Sequence, residues 1–197
     1  AVPEFMKGEA DITPAARGTL THKVLELIPF DEMLDETKVR EFVESLPEKG
    51  FMSAREAEAV DCRKVAAFFK SDTGRRLRDA QWIRREWPFT LRKSRDEIAA
   101  MAANDDIKEE MRSSLAENVL IQGIIDCCFR DDRGIVVVDY KTDWVDRKNK
   151  DSEIARLREE YRRQLELYSE VIERSLGERP ESVVLFLLDS GDAVNIF

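Results

Sequence analysis

The chain has 197 residues, of which 43% are hydrophobic and 37% charged, with a formal net charge of −9. That balance fits one globular domain, excludes a low-complexity polymer, and leaves no apolar run near the roughly eighteen residues of a transmembrane helix. An acidic domain also lacks the charge that drives unaided capture of nucleic acid, so a nucleic-acid enzyme of this composition needs a local basic track or a strand delivered by another module.

Residues 1–5, Ala-Val-Pro-Glu-Phe ahead of Met6, read as a cloning remnant, which makes 6–197 a single domain excised from something longer. Thr13-Pro14 is a helix start, and Leu20, Val24, Leu27 and Ile28 follow at helical spacing until Pro29. His22, the only histidine, lies beside this stripe, with Gly18 one turn earlier leaving open space next to the ring. Spacing alone favours a packed or half-exposed ring over a metal ligand. A second helix is predicted over Asp35 to Leu46 and a third over Ser53 to Lys70, with Ala57, Val60, Val65, Phe68 and Phe69 on the core side. Asp72-Thr73-Gly74 is expected to break it ahead of a short helix from Arg75 to Ala80.

Trp82 to Leu91 reads as the first strand. Glu86 in its middle is either a further carboxylate beside the hairpin that follows or a partner of Arg84 or Arg85. Ser94 to Met111 is polar and reads as a loop or short helix. The clusters Arg75-Arg76-Leu77-Arg78, Arg84-Arg85 and Arg162-Arg163 are either a basic track or solvated helix faces.

The most informative stretch runs from Gln122 to Lys141. Two apolar runs flank Arg130-Asp131-Asp132-Arg133-Gly134, a hairpin-loop signal. If Arg130 opposes Ile135, then Asp126 opposes Asp139, with Cβ atoms about 5 Å apart on one face of the sheet. Two carboxylates so close repel, which a purely structural hairpin avoids, whereas a divalent cation between them makes the arrangement favourable. Lys141, two residues on, returns to the same face. Asp, Asp and Lys around one metal is a phosphodiester-cleaving constellation. The plain alternative for Asp139 alone is a turn-starting residue.

Asp151 or Ser152 is expected to cap a long helix with Ile154, Leu157, Tyr161, Leu165, Tyr168, Val171, Ile172 and Leu176 on its buried side, closed by Gly177. Gln164, one turn before Tyr168, needs a hydrogen-bond partner within that stripe. Ser182 to Leu188 is a continuous apolar run, as in a strand covered on both faces, and the long helix before it implies a parallel crossover. The expected fold is α/β, a mixed β-sheet flanked by helices with an N-terminal helical portion. The cysteines, Cys62, Cys127 and Cys128, make no disulfide framework and no four-cysteine iron–sulfur or zinc cage, and they suit a reducing cytoplasm. No Gly-x-x-x-x-Gly-Lys-Ser/Thr phosphate loop occurs.

Gly123-Ile-Ile-Asp126, Asp139-Tyr-Lys141-Thr-Asp and Gln164-Leu-Glu-Leu-Tyr168 resemble the RecB-like branch of the PD-(D/E)xK nuclease superfamily, above all the carboxy-terminal nuclease domains of bacterial AddA helicase–nucleases. Arg17-Gly18-Thr19 and His22 fit the opening helix of those domains. The resemblance implies a restriction-endonuclease-like fold in the bacterial cytoplasm. It also implies a metal held by His22, Asp126, Asp139 and the backbone carbonyl of Tyr140, with Glu86 in a position that is often acidic. Lys141 would orient the attacking water and stabilise phosphate charge first, and help deprotonate that water second, while Gln164 and Tyr168 would position the strand. It further implies magnesium, with manganese an option because of the nitrogen ligand, single-stranded DNA as substrate, an attached helicase motor, a partner subunit of the AddB type, and a role in double-strand-break repair and recombination. Two other readings stand beside it: a stand-alone nuclease of the superfamily, and a non-catalytic nucleic-acid-binding or docking module that kept the fold. A docking surface has no use for opposed carboxylates, which favours the enzyme.

Overall fold

In the computed structural model, which describes residues 12–30, 34–101 and 118–196, the chain opens with helices. The Thr13 side chain accepts from the Ala16 N–H to cap α1 (Pro14–Leu27). Ile28 turns extended (ψ 135°), because the ring of Pro29 disfavours helical backbone before it. Asp35 caps α2 (Glu36–Ser45) in the same way. The expected third helix is two, α3 (Ala54–Glu58) and α4 (Cys62–Lys70). Its apolar stripe is continuous, but the Asp61 carboxylate accepts from the Arg63 N–H and starts a new helix. Ser71 makes the next break, and Asp72-Thr73-Gly74 is the first turn of α5 (Asp72–Arg78), not an interruption before it.

Gly74 serves close packing. A Cβ there would stand 2.2 Å from the Phe68 carbonyl oxygen and 2.7 Å from Phe69 Cα. Backbone atoms cannot turn aside, so Gly74→Ala is expected to cost about 2–3 kcal/mol of stability, read as a lower urea midpoint.

The remaining elements are β1 (Trp82–Ser94), α6 (Arg95–Met101), β2 (Asn118–Arg130), β3 (Ile135–Lys141), α7 (Lys150–Leu176), β4 (Ser182–Leu187) and β5 (Asp192–Asn195). β1 and β2 both extend beyond their predicted limits, pairing from Trp82↔Arg130 to Ser94↔Asn118. Of the stretch Ser94 to Met111, residues 102–111 lie outside the described residues, as do residues 1–5. The sheet order is β1-β2-β3-β4-β5, antiparallel except where β3 and β4 run parallel across the α7 crossover. This is the mixed sheet flanked by helices that the sequence implies, with β5 an addition reached through a turn at Gly191.

Asn149, without a side-chain cap bond, precedes α7, in place of Asp151 or Ser152. Its side chain is already engaged, donating to Asp146. Gly177, left-handed at φ 73°, closes the helix as expected. Leu176 does not join the buried side and is 39% exposed at the helix end.

Two cores sandwich the sheet. Val24, Leu25 and Ile28 of α1, Val39 and Val43 of α2, and Val65 and Phe68 of α4 pack with Phe129, Val138, Tyr140 and Phe186 on one side. Leu157, Leu165, Tyr168 and Ile172 of α7 pack with Ile125, Val137, Leu185 and Leu187 on the other. Phe68 meets Tyr140 and Phe186 edge-on, with ring centroids 5.0 and 4.9 Å away, and so ties α4 to β3 and β4. Among the described residues no helix is long and apolar enough to cross a membrane.

Candidate active site

The β2–β3 turn is held by Asp131, whose N–H donates to the Gly134 carbonyl (3.1 Å) while its Oδ1 accepts from the N–H groups of Arg133 (3.0 Å) and Gly134 (3.2 Å). It sets the register Arg130↔Ile135 through Cys127↔Val138. There the ladder ends, one residue short of an Asp126–Asp139 pair. Asp126 does not simply face Asp139; its Oδ2 accepts the Tyr140 N–H at 2.8 Å, where a backbone carbonyl would otherwise serve.

The β1–β2 ladder breaks at the same level, between Arg85↔Cys127 and Trp87↔Ile125. Glu86, in the gap, has φ 45°. Both strands change faces across this gap: Ile83 and Cys127 pack with the N-terminal helices, Trp87 and Ile125 with α7. A regular strand returns every second residue to one face, so the pleat is reset at Glu86 and Asp126. Positive φ strains a non-glycine residue. Glu86→Gly is accordingly expected to raise stability in EDTA by about 0.5–1 kcal/mol, measured by urea denaturation.

α1 brings His22 to this point. Its Nε2 donates to the Tyr140 carbonyl at 3.0 Å, and its Nδ1 lies 3.6 Å from Asp126 Oδ1. One ligand atom from each of His22, Glu86 and Asp126 falls within 4.8 Å of the others. The space beside Gly18 is not open: a Cβ there would stand 2.9 Å from Thr142 Oγ1, so this glycine lets α1 approach the end of β3. Asp139 is 1% exposed, with Oδ2 2.7 Å from Lys141 Nζ. That oxygen nevertheless has no hydrogen bond of good geometry among the described residues.

Burial, followed by the charge of Asp126, pushes Asp139 up to about 6. Glu86 is raised by the same two causes in the same order. For His22, burial works against the proton, but the close Asp126 carboxylate and the charges of Asp139 and Glu86 outweigh it and raise the pKa. Carboxylates that disfavour one another's charge and one imidazole form a donor set suited to a hard or borderline divalent cation. The residues present fit such an ion.

Around this cluster, Lys141 Nζ lies 4.5 Å from the Tyr161 ring centroid, and the Tyr161 hydroxyl donates to Asp143 Oδ2 at 3.1 Å. Gln164 Nε2 donates to the Tyr168 oxygen (2.7 Å), and that hydroxyl donates to the Ile124 carbonyl (2.9 Å). Thus the partner that Gln164 requires is Tyr168, which ties α7 to β2. Sequence reasoning missed Tyr161 as a site residue, although its spacing of three before Gln164 places it on the same face of the helix.

Most arginines of these clusters are paired with neighbouring carboxylates. Arg75 pairs with Asp72, Arg76 with Asp131 (2.6 Å) and Glu181 (2.9 Å), Arg78 with Asp79 and Arg162 with Glu159. Arg84 stacks on Trp87, 4.8 Å from its ring centroid. Arg85 donates to the carbonyls of Leu25, Glu26 and Ile28 at the end of α1, a role the sequence did not announce.

Residues 2–195 match the PD-(D/E)XK nuclease superfamily. The chain is 37% identical over 193 residues to an ATP-dependent helicase/nuclease protein of Desulforudis audaxviator, covering 98% of this chain and 15% of that protein. It is 34% identical over 194 residues to the protein of the same name from Alkaliphilus oremlandii, with 98% and 15% covered. The Geobacillus thermodenitrificans protein of that name is 38% identical over 175 residues, covering 87% of this chain and 13% of the relative. The chain thus spans only about 15% of the length of the first two. With a matching profile over almost all of its length, and a mixed sheet that gathers the acidic cluster where β2 and β3 part, this chain belongs to the PD-(D/E)XK nuclease superfamily.

Proposed function

We propose that residues 6–197 form a metal-dependent deoxyribonuclease domain that cuts strands fed to it by a helicase motor elsewhere in a longer polypeptide. The observation that carries this reading is the buried Asp139–Lys141 pair beside the His22–Glu86–Asp126 cluster. Its setting also supports it: strain at Glu86 and the burial of the Asp139 carboxylate, 1% exposed, are costs that packing alone does not explain.

In this reading His22, Asp126, Asp139 and the Tyr140 carbonyl hold magnesium or manganese, with Glu86 as a further carboxylate. When bound, such a cation polarises a phosphoryl oxygen and makes water more acidic. The chain's own groups do the positioning. Asp139 and the Tyr161 ring fix Lys141, whose ammonium orients the attacking water and stabilises charge developing on the phosphate. Asp143 steadies Tyr161 in turn. Gln164, held by Tyr168, places its remaining amide groups toward the strand, and Tyr168 acts through Gln164 and Ile124, since it is itself buried.

The partners follow from the charge and from the relatives' names, which join a helicase to a nuclease. A domain at −9 whose arginine clusters are largely paired suits delivery of single-stranded DNA by an attached motor. The same reading includes an AddB-type partner, a role in processing double-strand breaks, and a bacterial cytoplasmic location. The test is cleavage of end-labelled single-stranded DNA by this chain, in magnesium or EDTA, beside Asp139→Ala. Magnesium-dependent cutting that the variant loses supports the reading. Cutting that survives in EDTA or in the variant overturns it.

A further inference from the structure

Trp144 is the most exposed large hydrophobic residue among the described residues, at 69%. It follows Lys141 by three positions, on a segment that is anchored on both sides. Thr142 is seated against Gly18 of α1, and Asp143 accepts from the Tyr161 hydroxyl. Val145 is 1% exposed, and its N–H donates to Asp189 Oδ2 at 3.2 Å. Asp189 is itself paired with Lys64 at 2.6 Å. An indole on a backbone anchored at Thr142, Asp143 and Val145, three positions along the chain from Lys141, is an organised surface, not the tip of a loose loop.

We propose that Trp144 is a stacking platform for an unpaired nucleobase next to the scissile phosphate. The inference rests on the nuclease reading above and adds the residue that makes the site prefer single strands. In a duplex each base face is already covered by its neighbours, so a stacking contact with a side chain is open mainly to an unstacked base. The charge supports it as well. With a net charge of −9 and Arg76 held by Asp131 and Glu181, phosphate neutralisation is a weak source of affinity in this domain, and stacking on an uncharged ring does not depend on it.

The experiment is magnesium-dependent cleavage of oligothymidylate carrying a single abasic nucleotide at successive positions, by the wild-type chain, Trp144→Ala and Trp144→Phe. Alongside it, quenching of indole fluorescence by the intact oligonucleotide gives a readout independent of cutting. One or two abasic positions beside the cut are expected to raise KM for the wild type by roughly tenfold or more. Trp144→Ala is expected to raise KM for the intact strand comparably, lose the abasic sensitivity and lose the quenching, with kcat little changed. Trp144→Phe restores most of the binding. An unchanged KM or a retained abasic sensitivity in Trp144→Ala overturns the proposal. If the wild type cuts nothing, the nuclease reading fails by itself, and quenching decides the stacking: loss in Trp144→Ala supports it, and no quenching of the wild type overturns it.

Discussion

Asp139→Asn is expected to abolish cleavage, by about a thousandfold or more, and yet to leave the metal-free chain more stable than wild type. Asp139 is held at about 6 in the fold, against an ordinary 3.8. A carboxyl whose folded pKa is raised binds its proton more tightly in the native state, so it destabilises the fold above that folded pKa. The penalty fades as pH falls from about 6 and is gone below the unfolded value. At pH 7.5 in EDTA we expect the variant to gain about 1–2 kcal/mol, less than the full linkage value because Lys141 loses its partner. Near pH 4 the two proteins should be equally stable. Saturating magnesium should reverse the order, because an ion that binds only the native wild type adds to its stability. Urea denaturation at the two pH values, with EDTA or magnesium, checks each part. A variant less stable than wild type in EDTA at pH 7.5 would show that Asp139 is chiefly structural.

Arg85→Ala is expected to give the largest loss of stability among the surface-reachable polar residues, about 2–4 kcal/mol. Its guanidinium donates to Glu26 and Ile28 carbonyls at 2.6 Å each and to Leu25 at 3.4 Å. It also lies 4.1 Å from the Phe30 ring centroid. The last turn of α1 has no basic residue of its own, so this cation from β1 is what answers the helix's exposed carbonyls. Arg85→Lys should recover only part of the loss, because an ammonium stacks less well on the Phe30 ring than the planar guanidinium does. The effect should reach the site. Arg85 precedes Glu86 on β1 and fastens the helix that carries His22, so manganese affinity should fall together with stability. Denaturation and metal titration on the same preparations test this; an unchanged urea midpoint would contradict it.

The parts of this fold that were legible in the sequence are those with local causes. Thr13-Pro14 and Asp35 announce helix starts, Gly177 announces an end, and Asp131 to Gly134 carry enough turn chemistry to fix the register of β2 and β3. Ser182 to Leu188 reads as a strand covered on both faces, and all but its last residue form one, buried throughout. The division of α3 from α4 was hidden by an apolar stripe that runs through it, with Asp61 as the only sign of a new cap. The reset of the pleat was not legible at all. Nothing in the identity of Glu86 predicts a left-handed backbone, and alternation alone placed Asp126 face to face with Asp139. Long-range partnerships stayed hidden for the same reason: Arg85 at the end of α1 and Gly18 against Thr142 depend on the assembled chain.

Manganese electron paramagnetic resonance on this chain tests the central claim most directly, namely that the metal centre lies where β2 and β3 part. The expected result is a tightly bound ion with nitrogen hyperfine coupling. That coupling should vanish in His22→Ala, and the binding itself should weaken severely in Asp126→Ala. Manganese bound without any nitrogen coupling, or bound equally well by Asp126→Ala, would contradict it.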